Sequence, residues 1–192
     1  MNTIKILLTL SFFFILLISC NETKVDKDPI SNITTPTTGI PEEVKKEVPL
    51  IIFQNSFLTV VPGTPIVEYK AIIEEDLLQT GEGDFEIYNI KDAQQKVLAY
   101  FLADPVDNEL VGDIYVTSSL AQTEDDIHIG QTFGDLVTKY STLEVHGSEI
   151  ESQTFATVGN LSFRIDEAHA TYDLEISAVS KEAKIIEIVI KR

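Results

Sequence analysis

Cysteine, methionine and tryptophan are the scarcest residues of this sequence. Its 192 residues include one cysteine, Cys20, and no tryptophan. A chain with one cysteine forms no internal disulfide. If that cysteine is covalently modified, as argued below, no thiol remains to act as a nucleophile or as a metal ligand. The sequence also lacks a glycine-rich phosphate loop and a dinucleotide fingerprint. We therefore expect no cofactor, no metal site and no catalytic residue.

Positive charge is also in short supply. The chain has 14 lysines and arginines against 31 aspartates and glutamates, a formal net charge of −17. Such a balance disfavours binding to nucleic acids and to anionic lipid headgroups. We therefore expect no nucleic-acid partner.

An apolar run near the start ends at the single cysteine. Residues 6–18 are almost wholly apolar, but these 13 residues are fewer than the roughly 20 that span a bilayer. The length suits a secretory signal peptide. Leu17-Ile18-Ser19-Cys20 resembles the lipobox of bacterial lipoproteins, which implies a signal peptide over 1–19, cleavage between Ser19 and Cys20, and lipidation of Cys20. The alternative is an ordinary signal peptide with a chance cysteine beside it.

Lipidation at Cys20 would make the membrane a partner, because two or more acyl chains hold a protein firmly on a bilayer. Asn21, rather than aspartate, follows the cysteine. The resemblance to lipoproteins therefore favours the outer membrane, on its periplasmic or surface side. Residues 20–49 lack aromatic residues and are rich in Thr, Pro, Lys and Glu, which predicts a disordered tether. Residues 50–192 are then one globular domain.

The first element of this domain is predicted to be a helix over 65–79. Thr64 can cap it with Pro65 at the first helical position, and Gly81 can end it. Apolar residues recur at helical spacing: Ile66, Tyr69, Ile73 and Leu77. Residues 66–70 could instead form a strand.

Apolar and polar residues alternate through most of the remaining domain, which predicts strands. The predicted strands are 84–90 and 96–103, paired across the turn 91–95, then 110–117, 152–158 and 161–165, paired across Gly159-Asn160, and finally 172–176 and 185–190. Thr132 with Asp135 three residues later is a capping-box pattern and predicts a helix with an apolar face. The fold class predicted is α+β, a mostly antiparallel sheet with one or two helices packed on it.

The most suggestive polar cluster is His146, Ser148 and Glu149, around Gly147. An imidazole, a hydroxyl and a carboxylate are the groups of nucleophilic catalysis, but neighbours in a tight turn seldom reach one another. The simplest interpretation is a structural turn with Gly147 at positive φ and Ser148 capping locally. A ligand-binding loop and a catalytic site are the alternatives.

Two acidic runs, 104–109 and 124–128, lack the spacing of a calcium loop and are interpreted as solvated loops. His169 is expected to be an exposed loop residue.

Several short motifs resemble the RpoE-regulated lipoprotein family (YfeY-like), a family of envelope lipoproteins of unknown function. They are Gly112-Asp113-Ile114, the turn and helix start over 129–136, Gly147-Ser148, Leu161-Ser162-Phe163-Arg164 and Lys184-Ile185-Ile186. The resemblance covers residues 85–192. It implies an envelope location and a link to envelope stress, and no activity.

Two classes of function remain open. The first is a non-enzymatic envelope lipoprotein that binds an envelope protein, a peptide or a cell-wall component through its folded domain. The second is a periplasmic or surface hydrolase that uses His146 with Ser148, or with a distant acid. We favour the first, because anchor, tether and acidic domain are explained without catalysis.

Overall fold

The computed structural model describes residues 50–81 and 83–192, which form two β-sheets and one α-helix. The smaller sheet has the strand order β2-β1-β7, with β1 (Leu50–Phe53), β2 (Ser56–Phe57) and β7 (Ala121–Thr123). The larger sheet contains β3 (Ile73–Thr80), β4 (Gly83–Lys91), β5 (Val97–Ala103), β6 (Val111–Val116), β8 (Glu144–Gly147), β9 (Thr154–Val158), β10 (Leu161–Ile165) and β11 (Ile185–Ile190). The helix α1 spans Phe133–Lys139 between β7 and β8.

The larger sheet has the order β3-β4-β5-β6-β11-β10-β9-β8, and every pair in it is antiparallel. Two meanders, β3–β6 and β8–β10, are joined in the middle by β11. The prediction of a mostly antiparallel sheet is confirmed, as are the hairpins β4–β5 and β9–β10. Gly159 has φ 59° in the turn of the second hairpin, a conformation that glycine adopts without strain.

One face of the larger sheet is the core. Six fully buried residues form a row across six neighbouring strands, each paired with the next: Ile90, Ala99, Val116, Ile188, Phe163 and Ala156. Since paired residues point to the same side of a sheet, this row gives that side a continuous apolar surface. The smaller sheet adds Ile52 and Phe57 to the same hydrophobic cluster.

The helix α1 covers this core as its sequence predicts. Thr132 accepts the backbone N–H of Asp135 at 3.1 Å, and the Asp135 carboxylate accepts the N–H of Thr132 at 2.8 Å, so the capping box is complete. Phe133 and Leu136 are fully buried in the cluster. In the part of the chain that the structure describes, no helix is long and apolar enough to cross a membrane.

The predicted helix over 65–79 is wrong. A short 3₁₀ helix, Ile66–Tyr69, is followed by strand β3, which pairs with β4 over its whole length. Ile66 and Tyr69 do face the core, so the first part of the helical spacing reflects real burial. The chain then forms a strand because pairing with β4 bonds the backbone groups of its alternate residues, and this outweighs its local helical propensity.

The predicted strand over 172–176 is also wrong. This segment makes one isolated bridge, between Asp173 and His146, and ends in a 3₁₀ helix, Ile176–Ala178. Tyr172 is 64% exposed, so the alternation of apolar and polar residues over 172–176 does not correspond to a strand with one buried face. The segment lies along the outer edge of β8.

Candidate functional site

The second face of the larger sheet carries a row of polar and aromatic side chains. Tyr100 pairs with Tyr115, Tyr115 with Val189, Val189 with Ser162, and Ser162 with Thr157. A second row consists of Glu187, Arg164, Phe155 and His146, again each paired with the next. Because residues of the buried row alternate with these along each strand, the two rows lie on the face opposite the core.

These rows form the floor of a cavity of about 760 Å³, here called the open-face groove. Residues from all eight strands line it, and the cross-strand pair Leu78 and Phe85 lines it from the β3–β4 hairpin. A cavity of this size that combines aromatic surface with a few polar groups has the character of a small-molecule binding site.

Tyr100 and Tyr115 stand side by side in the groove. Their rings stack with centroids 4.9 Å apart and planes inclined by 5°. Burial, together with the nearby carboxylate of Glu187, raises the pKa of Tyr100 to about 12. Burial and Asp113 raise the pKa of Tyr115 to about 12 as well. Both hydroxyls are therefore neutral at physiological pH and can donate and accept hydrogen bonds.

Three of the four charged residues that line the groove have ionic partners; the fourth, Glu151, is exposed at its rim. Arg164 Nε donates to Glu187 Oε1 at 3.3 Å, and Lys191 forms an ion pair with Asp113. Glu187 is only 9% exposed; burial raises its pKa, an effect that the Arg164 guanidinium partly offsets. A ligand in this groove would therefore meet polar groups but little net charge.

His146 lies at one end of the groove, on strand β8. Its ring is 5.5 Å from that of Phe155 and 5.4 Å from that of Tyr172, measured between centroids. Burial and the charge of Lys191 lower the pKa of His146, and Glu144 raises it in part. The neutral ring is therefore favoured near pH 7.

Gly147 differs from its prediction. It lies within β8, and its φ is not positive, so it is not the turn glycine that we expected. A Cβ at this position would lie 2.4 Å from the carbonyl oxygen of Thr171 and 2.5 Å from that of His169. Its own N–H donates to Thr171 O at 3.0 Å. Glycine is required here because another backbone segment passes directly against the strand.

The structure separates the other two members of the predicted cluster from His146. Ser148 Oγ accepts the N–H of Glu151 at 3.2 Å, so the hydroxyl caps a local turn. Glu149 is exposed in that turn. Neither residue lines the open-face groove, and no hydrogen bond joins Ser148 to His146 among the described residues. Cys20 and Ser19 lie outside the described residues.

The acids of the second run, Glu124, Asp125 and Asp126, are exposed as predicted, whereas the first run begins with a structural residue. Asp104 is buried, and its Oδ1 accepts the N–H groups of Val106 and Asp107 at 2.9 Å each. Over residues 50–81 and 83–192, no group of three or more acidic, histidine or cysteine side chains is placed to hold a metal ion. His169 is also not the exposed residue expected, since its Nδ1 shares a 2.9 Å hydrogen bond with the buried Thr154 hydroxyl.

Most groove residues were not identified from the sequence. Strand alternation does place Tyr115 and Arg164 on the polar side of their strands, and this was the available signal. What the sequence does not contain is the strand order, which brings these two residues from distant segments onto one surface.

No family model matches the sequence, and no curated protein matches it. Among solved structures, the fold is similar to the crystal structure of the uncharacterized protein yfeY from Escherichia coli, with a TM-score of 0.51 and 14% sequence identity. The match covers 73% of this chain and 99% of that chain, more than the stretch 85–192 in which the sequence motifs lie. At this identity the likeness shows a YfeY-like fold alone.

Proposed function

We propose that this protein is a lipid-anchored envelope protein whose folded domain binds a ligand in the open-face groove without catalysis. The observation that carries the proposal is the groove itself. The stacked rings of Tyr100 and Tyr115 and the ion pair between Arg164 and Glu187 lie on this one concave surface. Placement in the RpoE-regulated lipoprotein family belongs to the same proposal; the YfeY-like fold and the sequence motifs support it.

The ligand class that best fits the groove is an uncharged saccharide, such as an oligomer of N-acetylglucosamine. Sugar rings offer apolar C–H faces and many hydroxyls, so they pair with tyrosine rings and with neutral donors and acceptors. Ser162 and Thr157 lie in the same row as the two tyrosines and supply such groups. Arg164, Glu187 and Lys191 are already in ion pairs, so an ionic ligand that used them would have to break those pairs.

The anchor is the second part of the proposal. Cys20 and the residues before it resemble a lipobox, and the tether over 20–49 would hold the domain away from the bilayer. Asn21 after the cysteine favours the outer membrane, with the domain on its periplasmic or surface side. The membrane is then one partner, and a cell-wall component or an envelope protein is the other.

The alternative function is a hydrolase that uses His146. It has less support from the geometry. The Ser148 hydroxyl is engaged in its own turn, and the His146 ring is held between Phe155 and Tyr172.

A binding assay with oligomers of N-acetylglucosamine, which are uncharged saccharides, tests the proposal. The full chain in non-ionic detergent should bind them in isothermal titration calorimetry. Tyr100→Leu should weaken binding about tenfold, the effect of losing a central aromatic contact. The same change at Tyr172, which does not line the groove, should leave binding unchanged within about twofold.

Three results would contradict the proposal. If none of the saccharides binds, the ligand is not an uncharged saccharide. Equal losses of affinity in Tyr100→Leu and Tyr172→Leu would show that the ligand does not bind in the groove. Release of shortened glycans by the wild type, abolished in His146→Gln, favours the hydrolase instead.

A further inference from the structure

The two outer edges of the larger sheet differ in whether another segment of the described chain covers them. At one edge, β8 is covered by the segment around residue 172, through the Gly147 N–H to Thr171 O hydrogen bond and the bridge between His146 and Asp173. At the other edge lies β3, the first strand in the sheet order, and no strand of the described residues pairs with its outer side. A long strand with a free edge can pair with a strand of another chain.

The backbone groups of β3 that point outward can be assigned from its register. Thr80 pairs with Gly83 across a two-residue connection, which makes this a hydrogen-bonded pair. Alternate residues of β3 therefore bond to β4, and the residues between them direct their N–H and C=O groups away from the sheet: Ile73, Glu75, Leu77 and Gln79. The Leu77 N–H is held at 2.8 Å by the Asp76 carboxylate, a contact that a partner can displace.

A cleft lies directly beside this edge. It has a volume of about 790 Å³ and is lined by the 3₁₀ helix at 66–69, by Asn108 and Glu109, and by β3 and β4. Its apolar lining includes Val67, which is 59% exposed, and Tyr88, which is paired with Glu75 across the strands. In an added strand, every second side chain would point to the face on which Glu75 and Tyr88 lie, and so toward this cleft.

The charge of this surface selects the partner. The exposed acids are Glu74, Glu75 and Asp76 on β3 and Glu109 at the cleft. Lys70 also lines the cleft, and Lys91 is already paired with Glu74. Antiparallel pairing of β3 with β3 of a second copy would bring two acidic strands together, which is unfavourable. A strand with lysine or arginine at alternate positions is complementary instead.

We propose that the free edge of β3 and the adjoining cleft form a docking site for an extended, basic segment of a partner protein. The segment adds a ninth strand to the sheet through main-chain hydrogen bonds, and its alternate basic side chains meet Glu75 and Glu109. The docking site uses the outer edge of β3 and the face that carries Glu75 and Tyr88, whereas Leu78 of the same strand lines the open-face groove on the opposite face. The docking site does not depend on the ligand of the groove.

The test uses a labelled ten-residue peptide of alternating lysine and valine, with the full chain in non-ionic detergent. Fluorescence anisotropy should show binding, and a peptide of alternating glutamate and valine should not bind. The variant Leu77→Pro removes an outward N–H without breaking the ladder to β4, and it should abolish binding. The matched variant Leu77→Ala keeps that N–H and should retain binding.

Charge is tested separately, with a variant that preserves the strand backbone. Glu75→Gln combined with Glu109→Gln should weaken binding about three- to tenfold and reduce its dependence on salt. This variant keeps the proposal testable if Leu77→Pro does not fold. Tyr100→Leu should leave peptide binding unchanged, which separates this site from the groove.

Four outcomes overturn the proposal: no binding of the basic peptide, equal binding of the acidic peptide, loss of binding in Tyr100→Leu, or a dimer of the full chain in sedimentation that Leu77→Pro dissociates. The last outcome would assign the edge to self-association.

Discussion

The Asp104 carboxylate forms an ion pair with the guanidinium of Arg192, which follows the central strand β11. The same carboxylate holds the turn between β5 and β6 by accepting two backbone N–H groups. The backbone N–H of Arg192 in turn donates to Asp113 on β6 at 2.9 Å. The chain after β11 is thus fixed to the turn between β5 and β6 and to strand β6.

This ion pair predicts a specific response to acid. The Arg192 hydrogen bond, with those from the turn, lowers the pKa of Asp104 below its ordinary value of 3.8. A lowered carboxyl pKa stabilises the fold above the ordinary value, and that stability is lost as the pH falls through the folded pKa. Asp104→Asn should therefore melt below wild type at neutral pH, with the difference shrinking below about pH 4. Circular dichroism melts from acid to neutral pH measure this, and parallel curves would contradict it.

The capping box of α1 predicts an ordering of three variants. Leu136 is fully buried, so Leu136→Ala should cost about 2–5 kcal/mol of unfolding free energy. Thr132→Ala removes the hydroxyl cap and should cost about 0.5–2 kcal/mol. Asp135→Asn keeps an acceptor for the N–H of Thr132 and should cost less than Thr132→Ala. Chemical denaturation gives the ordering. A Leu136→Ala variant as stable as wild type would show that α1 is not packed on the core.

The close backbone contact at Gly147 predicts a large effect from one methyl group. Gly147→Ala places a Cβ against two carbonyl oxygens, of Thr171 and His169, and should destabilise the domain by about 1–3 kcal/mol or more. Gly81→Ala is the matched control, since a Cβ there meets no atom within 4 Å, and it should change stability by less than about 0.5 kcal/mol. Urea denaturation of both variants checks the contrast. Equal effects would mean that β8 and the covering segment are not in contact.

The burial of His146 predicts a second pH effect. Its folded pKa is lower than the ordinary value of 6.5, so the unfolded chain binds more protons than the folded chain between the two values. The free energy of unfolding should therefore fall as the pH drops from about 7 through that window. His146→Gln lacks this contribution and should lose less stability over the same range. A pH series of denaturation curves, compared variant against wild type, measures it; identical slopes would contradict the burial of the ring.

The anchor predicts the behaviour of a single variant. Cys20→Ala should abolish labelling with a fatty-acid probe and leave the protein soluble or uncleaved, because no other cysteine is present. Metabolic labelling followed by fractionation of membranes provides the measurement. Undiminished label in the variant would rule out lipidation at Cys20.

Local signals in the sequence predicted local structure well. The turn at Gly159-Asn160 specifies the β9–β10 hairpin, and the capping box of Thr132 and Asp135 specifies the start of α1. Both act through contacts between residues only a few positions apart. β3 was missed because most of its residues are exposed on both faces at the sheet edge, so it lacks the alternation of a half-buried strand.

The candidate site was less predictable than the fold, for a different physical reason. His146 was identified because its neighbours in sequence are polar, and the groove uses it with Phe155 and Arg164 rather than with Ser148 or Glu149. Their proximity depends on strand order and register, which arise from long-range pairing and leave no mark on any single segment.

The position of β11 determines when the larger sheet can be completed during folding. It lies between β6 and β10, with Val189 paired to Tyr115 on one side and Ser162 on the other, yet it is translated after every other strand of the sheet. A chain that enters its folding compartment from the N-terminal side can close each meander early, but the two cannot become one sheet until β11 arrives. Such late, distant pairing slows folding and leaves the edges of β6 and β10 open to wrong partners. The chain should therefore rely on holding chaperones until β11 has joined the sheet.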